Sequence, residues 1–444
     1  MEKPLDVAIV GAGLSGLACA HALQARGAKT VVFEAEAHVG GKVQSIHRQA
    51  FVLENGPHAF LDNAPRTQAL IDALGLRTHI RDADPAAKAR YILKGGRLRR
   101  MSGSPLSVLS SGLLRWRAFL RAAREPWVPI ASPANEESLA DFTARRFGAE
   151  VFDLVDAAQT GVYAGDPRKL SHVAFPQLHD WETQHGSVVR ALWANRRNQR
   201  ARLTTLEGGL KMLTQRLGES LGDTVRTGVH VNAVKPVASG FLLESSADGT
   251  RQRTAARNVV LALPAFLAAR LTTFDDLLSR ALMNIPYAPI AVVHLAWPRG
   301  GAPNLPAGFG YLAPESEGHP ILGAIFVSAA FPWRAPETHH LVTCLIGGVR
   351  HPERVEQGDE ALTTLAKTAL RDVLKAPTDI TVLGIARWRQ GIPQYVLGHA
   401  NTLRTVDARL SAWQGLHVLG HAYRGAGVND CLRQAHELGC ALPL

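Results

Sequence analysis

The four cysteines of this 444-residue chain, Cys19, Cys344, Cys431 and Cys440, are scattered through apolar or helical contexts without metal-ligand spacing. They read as reduced, structural thiols, and a cysteine-held metal is excluded. No apolar run is long enough to span a bilayer. The chain opens directly into a strand pattern, so no signal peptide is expected and the predicted compartment is the cytosol. Internal repeats and low-complexity tracts are absent as well. Acid is missing from one long stretch: Pro85 to Arg124 holds ten Lys and Arg residues and no Asp or Glu. That stretch feeds a formal net charge of +11, an excess that ordinarily serves nucleic acid, an anionic membrane or an acidic substrate. No nucleic-acid-binding module accompanies it, which sets nucleic acid aside as a partner.

What is present begins at Val7-Ala-Ile-Val-Gly11-Ala12-Gly13-Leu14-Ser15-Gly16 and closes with Glu34 after a second apolar run, Thr30-Val-Val-Phe33. This is the order strand, glycine turn, helix, strand, acid. The first two glycines let backbone N–H groups approach a pyrophosphate, the third lets the helix pack closely on the strand, and the carboxylate accepts from ribose hydroxyls. An acid at that point repels a 2′-phosphate and so disfavours NADP. Further turns at Gly40-Gly41 and Glu54-Asn-Gly56-Pro57 suit a flavin, whose longer body needs more backbone contact than one loop provides. The competing reading is an ordinary doubly wound α/β domain with an empty crevice.

The length implies two or three domains. From Ser104 to about Arg202 the pattern is helical, with a break at Pro126 and Pro129 and a helix start at Asn135 or Ser138. Leu109, Leu113, Trp116 and Leu120 fall on one helical stripe with Arg117, Arg121 and Arg124 beside it. Such a helix either lies in a membrane interface with its arginines at lipid phosphates or is a core helix with solvated flanks. Strand patterns return at Val225–Val234 and Asn258–Leu263. Alternating runs at Ala291–Trp297, Ile321–Ser328 and Leu341–Gly347 predict a second, largely antiparallel sheet. The final segment, Leu416–Gly420 then Gly425–Asp430 and a helix, is again strand, glycine turn, helix, and is expected to rejoin the first domain.

Taken together, Gly40-Gly-Lys-Val43, Glu54-Asn-Gly-Pro-His-Ala-Phe60, Arg90-Tyr-Ile-Leu93, Gly161-Val-Tyr-Ala-Gly-Asp-Pro167, Gly308-Phe-Gly-Tyr-Leu312, Phe331-Pro-Trp-Arg-Ala-Pro336 and Tyr423-Arg-Gly-Ala-Gly-Val-Asn-Asp-Cys431 resemble the flavin-dependent amine oxidase superfamily. Within it the chain is similar to the protoporphyrinogen and coproporphyrinogen oxidases. The resemblance implies an α/β fold with a Rossmann-like FAD-binding domain assembled from separated segments (1–83, 203–265 and 385–444). It also implies an α+β substrate domain (84–91 and 266–384) and a helical, membrane-associating domain (92–202). Attachment would be peripheral, at the cytoplasmic face of the membrane.

Carried over by motif, the implied FAD contacts are Gly11, Ala12, Gly13, Leu14, Ser15, Gly16, Glu34, Ala35, Lys42, Gly56, Pro57, His58, Ala59, Val231 through its backbone, His421, Ala426, Gly427 and Val428. The helix after Val428 would point its positive end at the flavin. Arg90, Phe309, Gly310 and Leu312 would form the substrate pocket, with Arg90 on a propionate, Phe309 and Leu312 sandwiching the macrocycle and Gly310 permitting close approach. The implied reaction is hydride removal from a methylene bridge to flavin N5, followed by proton loss. Molecular oxygen then reoxidises the flavin to give hydrogen peroxide, and repeated rounds leave the aromatic porphyrin. No side chain is assigned as general acid or base, because His58, His185, His294, His399 and His421 read as structural groups. The resemblance leaves room for a homodimer. Coproporphyrinogen III as substrate, another superfamily activity such as amine oxidation or polyene desaturation, and a porphyrin-binding flavoprotein without turnover are the alternatives.

Overall fold

Val7, Ala8, Ile9 and Val10 are apolar on both faces, a pattern that only an interior strand of a parallel sheet buries. In the computed structural model, which describes residues 4–101, 111–114, 116–131, 136–195, 201–300 and 303–444, these residues form the centre of β1 (Leu5–Val10). None of the four is more than 5% exposed. β1 pairs in parallel with β2 (Thr30–Phe33) on one side and with the end of the long strand Thr250–Leu261 on the other. The helix α1 (Leu14–Gln24) makes the crossover. Leu416–Val418 adds a further parallel strand beside Thr250–Leu261. The C-terminal helix Val428–Ala441 then packs on α1, where Leu17, Leu432 and Ala435 share one core. The end of the chain therefore completes the sheet that its beginning starts, as the repeated strand–turn–helix pattern predicts.

A second sheet runs in the order Thr381–Pro393, Tyr287–Pro298, His339–Gly347, Gly323–Ile325, Gly310–Leu312, Arg90–Lys94, Arg97–Met101. Its neighbours are antiparallel except for Gly310–Leu312 against Arg90–Lys94. The helix Asp359–Leu374 covers one face, burying Leu362, Ala366 and Leu370 against Val293, Leu295 and Val342. The fold is thus a mixed α/β architecture with two major sheets. Residues 385–393 hydrogen-bond into the second of them.

The helical stretch includes Trp116–Arg124, Leu139–Phe147, Phe152–Tyr163, Pro176–His185 and Val188–Asn195. Ser138 caps the second of these, its hydroxyl accepting from Asp141 N at 3.0 Å. These helices are tied together by ions taken wholly out of water. Arg146 donates to Glu125 at 2.7 Å and also to Glu182, and Glu125 accepts from Val188 N, Val189 N and the Ser187 hydroxyl. Each buried charge is hydrogen-bonded from several sides, the condition under which burial is tolerated.

Three expectations change. The stripe through Leu113 and Trp116 is not one helical face, because Leu113 lies outside the helix Trp116–Arg124 and Gly112 before it adopts φ +70°. Leu113 is a core residue against Ile92 and Ala157, whereas Trp116 and Leu120 are 64% and 57% exposed. Leu109 and Asn135 lie outside the described residues. The run Ile321–Ser328 is a strand only at Gly323–Ile325 and passes into a short helix at Val327–Ala330. Val225–Val234 is two strands, separated where Gly228 takes φ +69° and donates to Glu36 O at 2.9 Å. Cys19, Cys344 and Cys431 are buried, and burial pushes the Cys19 thiol up to about 12, which fits an inert structural role; Cys440 is exposed.

Candidate functional site

The turn after β1 is built by contacts that only glycine permits. Gly11 adopts φ +105°, and a Cβ there would lie 2.6 Å from Ala262 O. A Cβ at Gly16 would lie 2.0 Å from Gly11 O, so this glycine sets how closely α1 approaches the strand. Gly13 is different: nothing lies within 4 Å of where its Cβ would be. It caps α1 without a side-chain hydrogen bond, and the first turn, from Leu14 and Ser15 to Gly16, carries no acid. An uncapped helix N-terminus facing open space is a place for an anion.

Glu34 leaves β2 on the same side. Its carboxylate accepts from Ala12 N at 2.7 Å and Glu36 N at 3.0 Å, which fixes its direction and leaves lone pairs for ribose hydroxyls. Ala35 beside it is exposed. Residues 226–229 run along this corner, where Glu34 N donates to Arg226 O and Val229 N to Glu34 O, which brings the buried Val231 just beyond it. Gly40 bridges to Gly13, and Gly40 N donates to Ala12 O at 2.9 Å. A Cβ at Gly56 would sit 1.9 Å from Lys42 O, so the Gly56-Pro57-His58-Ala59 turn is pressed against the Gly40–Lys42 loop. Gly13, the Gly40–Lys42 loop and the Gly56–Ala59 turn thus lie side by side at the carboxyl end of the parallel strands, where open α/β sheets hold dinucleotides.

At the other end, the His421 carbonyl accepts from the Tyr395 hydroxyl at 2.8 Å, and that hydroxyl accepts from Gly425 N at 2.9 Å. Tyr395 therefore ties the strand end to the turn Ala426-Gly427 that opens the helix at Val428. This helix end is partly self-capped, because Asp430 accepts from Gly427 N at 3.2 Å. It offers less positive charge to a flavin than the sequence suggests.

At the residues expected to meet substrate, the guanidinium of Arg90 lies over the Phe309 ring, 5.7 Å from its centre. Phe309 packs edge-on against Phe331 and packs on the same apolar cluster as Ala59 of the Gly56–Ala59 turn. Leu312 joins a different cluster, with Ile92, Leu113 and Ala157, and a Cβ on Gly161 would come within 2.9 Å of it. Phe309 and Leu312 thus belong to separate walls. Gly310 is required by its own sheet, since a Cβ there would lie 2.2 Å from Ala324 O.

Of the candidate histidines, His58, His294, His399 and His421 are held neutral near pH 7 by burial. Burial lowers His294 to about 4, where it lies between Thr343 and Asn55 at 2.9 and 3.1 Å. Burial likewise lowers His399 to about 4, stacked on Tyr395. His58 falls well below its ordinary value through burial, then Arg334 and His294. The sequence reading missed three arrangements, although Glu54, Asn55, Arg334 and Gly425 lie in the motifs it quotes. Glu54 and Arg334 form a fully buried pair at 2.9 Å, Trp388 Nε1 donates to Asn55 O at 2.7 Å, and Tyr395 bridges His421 and Gly425. Each joins segments apart in the chain, and no local pattern announces such a pairing.

The family model described as flavin containing amine oxidoreductase matches residues 14–440. The chain is 30% identical to the chloroplastic protoporphyrinogen oxidase of Nicotiana tabacum, over 98% of this chain and 84% of that protein. It is 26% identical to the coproporphyrinogen III oxidase of Bacillus subtilis (strain 168), over 96% of both. A crystal structure from Exiguobacterium sp. 255-15, provisionally named a protoporphyrinogen oxidase, superposes with a TM-score of 0.84 at 23% identity, covering 99% of this chain and 98% of that one. That likeness bears on the fold.

Proposed function

The chain belongs to the flavin-containing amine oxidoreductase family, an FAD-dependent oxidoreductase by that membership, and from this premise we propose that it oxidises protoporphyrinogen IX to protoporphyrin IX with molecular oxygen as acceptor. The observation that carries the reading is that Ala59 and Phe309 pack on one apolar cluster and that the Arg90 guanidinium lies over the Phe309 ring. An apolar aromatic wall abuts the cofactor crevice and ends in a guanidinium, which matches a large apolar macrocycle with carboxylates at its edge. Bound FAD would supply hydride acceptance and the reaction with oxygen. The chain's own residues hold the macrocycle edge in place and keep water away. Coproporphyrinogen III is the second reading, favoured by the basic surplus and by the Bacillus relative.

Purified protein mixed separately with the two porphyrinogens, and followed by porphyrin fluorescence and peroxide, tests both. Protoporphyrinogen IX is expected to be turned over with the larger kcat/KM. If neither substrate fluoresces faster than the enzyme-free control, the oxidase reading fails. Arg90→Ala is expected to raise KM about tenfold and change kcat by less than about threefold, because a propionate contact is made in ground and transition states alike. An unchanged KM would remove Arg90 from the pocket.

The location we propose is the cytoplasmic face of a membrane, peripherally bound. No helix of the described residues is long and apolar enough to cross one. Trp116, Leu120 and Trp127 are 64%, 57% and 76% exposed. Beside them a surface pocket of about 340 Å³ is lined by Arg117, Arg121 and Arg124 together with Leu120 and Val128, with the ion-paired Arg145 and Arg146 at its base. Exposed tryptophans next to arginines suit an anionic lipid interface. The protein is expected to float with vesicles containing about 30 mol% phosphatidylglycerol, and Trp116→Ser/Trp127→Ser is expected to abolish this. Wild-type protein that stays at the bottom of the gradient would overturn the assignment.

A further inference from the structure

Lys42 is a largely buried ammonium with no carboxylate against it among the described residues. Its Nζ donates to Gln390 O at 2.7 Å and to Gly391 O, lies 3.3 Å from His421 Nε2, and sits 5.2 Å from the centre of the Tyr287 ring. Four segments converge on this one cation: the Gly40–Lys42 loop, the strands Thr381–Pro393 and Tyr287–Pro298, and the turn after Leu416–Val418. The side chain thus leaves the Gly13–Gly40 bridge and reaches across to the second sheet. It ends at His421, whose carbonyl shares the Tyr395 hydroxyl with Gly425 at the start of the C-terminal helix. Carbonyl oxygens and an aromatic face solvate an ammonium without cancelling its charge. A cation held in this way at the crevice is poised for an anion that arrives only during the reaction.

The flavin supplies such an anion. A neutral oxidised ring that accepts a hydride, two electrons and one proton, carries one negative charge afterwards. We propose that Lys42 is the counter-charge for that ring, a positioning residue that stabilises the reduced flavin over the oxidised one. The proposal rests on FAD as the cofactor and is independent of which porphyrinogen is the substrate.

The other titratable groups at the convergence are His421 and Tyr287, with Tyr395 and Tyr423 behind them; Arg389, next to Gln390, turns away to Glu356. Burial, and then Lys42, lowers His421 to about 3, while burial raises Tyr287 to about 12 and the other two tyrosines further. Burial pushes Lys42 itself down to about 8. Between the His421 and Tyr287 limits, Lys42 is the group in this cluster that changes charge. Reduction of the ring raises its proton affinity, so above about pH 8 each reduction draws one extra proton onto its amine.

The test is the two-electron midpoint potential of the FAD-loaded protein, measured against reference dyes across pH without substrate. Lys42→Met is expected to weaken reduction about tenfold at neutral pH, a potential about 30 mV more negative. Lys42→Arg, which keeps the charge and cannot lose it, is expected to hold the neutral-pH potential. In wild type the potential should fall more steeply with pH above about 8, and in Lys42→Arg that extra steepness should be absent. Should Lys42→Met not retain FAD, the comparison of wild type with Lys42→Arg decides alone. An identical pH profile in those two proteins, or an unshifted potential in FAD-loaded Lys42→Met, would overturn the proposal. Wild-type protein that binds no FAD would overturn the cofactor assignment instead.

Discussion

Gly13→Val is expected to fold, to remain soluble and to emerge without flavin, with a visible absorbance below about one-tenth of wild type when the pyrophosphate approach is filled. Both halves of this result follow from the turn. Gly13 has φ −73° and ψ 177°, extended backbone that a β-branched residue adopts readily, and its missing Cβ faces open space. The added β-carbon therefore meets nothing in the protein, and the side chain projects beside the uncapped N–H groups of α1, where an anion would be held. Gly16→Val makes the contrast, because its Cβ would be driven to 2.0 Å from Gly11 O. That variant is expected to fail in folding, with loss of soluble protein. Thermal unfolding of Gly13→Val should coincide with that of flavin-stripped wild type. A yellow Gly13→Val protein would show that the diphosphate does not approach through this turn.

The same turn marks how far the sequence carries. Local chemistry made β1, α1, β2 and Glu34 legible, because each step depends on neighbours in the chain: a double-sided apolar run, glycines at fixed spacing, an acid at the next strand end. The return of Leu416–Val418 and the C-terminal helix was legible for the same reason. Periodicity failed where a single glycine changed the backbone. Gly112 breaks the stripe that would have placed Leu113 beside Trp116, and Gly228 divides the strand pattern from Val225 to Val234. It failed again at Ile325–Val327, where the burial of Phe326 is equally compatible with alternation and with a helical turn. In the candidate site, the glycine turns and their close backbone contacts could be read from their motifs, whereas the directions of long side chains could not. Lys42 gave no sign that it reaches the second sheet, and Arg334 reads as a surface charge until the fold carries it to Glu54.

Arg334→Met is expected to be the most damaging single substitution that leaves the backbone and the apolar packing intact. Arg334 and Glu54 are both fully buried, and their ion pair at 2.9 Å links the turn before the cofactor crevice to the motif Phe331–Pro336. Glu54 is also held by Leu210 N at 2.8 Å and the Ser45 hydroxyl at 2.7 Å. Methionine keeps the contact with the Phe331 ring, over which the guanidinium lies at 4.6 Å, and removes the charge. The carboxylate is then left in a dry site without its cation, a loss of about 3–5 kcal/mol. The lower end is expected, since Arg334 Nε and Nη1 have no partner of their own and their removal relieves that burden. In a chain of 444 residues, with an unfolding entropy of about 2 cal/mol/K per residue, Tm falls by about 3–5 °C.

The pH dependence identifies the cause. Burial raises Glu54 above the ordinary carboxylate range even with Arg334, Ser45 and Leu210 opposing it, and loss of Arg334 raises it further. A carboxyl whose folded value exceeds its unfolded value binds its proton more tightly in the native state. Stability therefore rises as the pH falls through the folded value, and the gain is complete below the unfolded one. The Tm deficit of Arg334→Met should shrink on acidification from neutrality, and Glu54→Gln/Arg334→Met should recover most of it at neutral pH. A deficit that stays constant with pH and persists in the double variant would mean that Arg334 acts through packing, and that the charge of Glu54 is not what it holds in place.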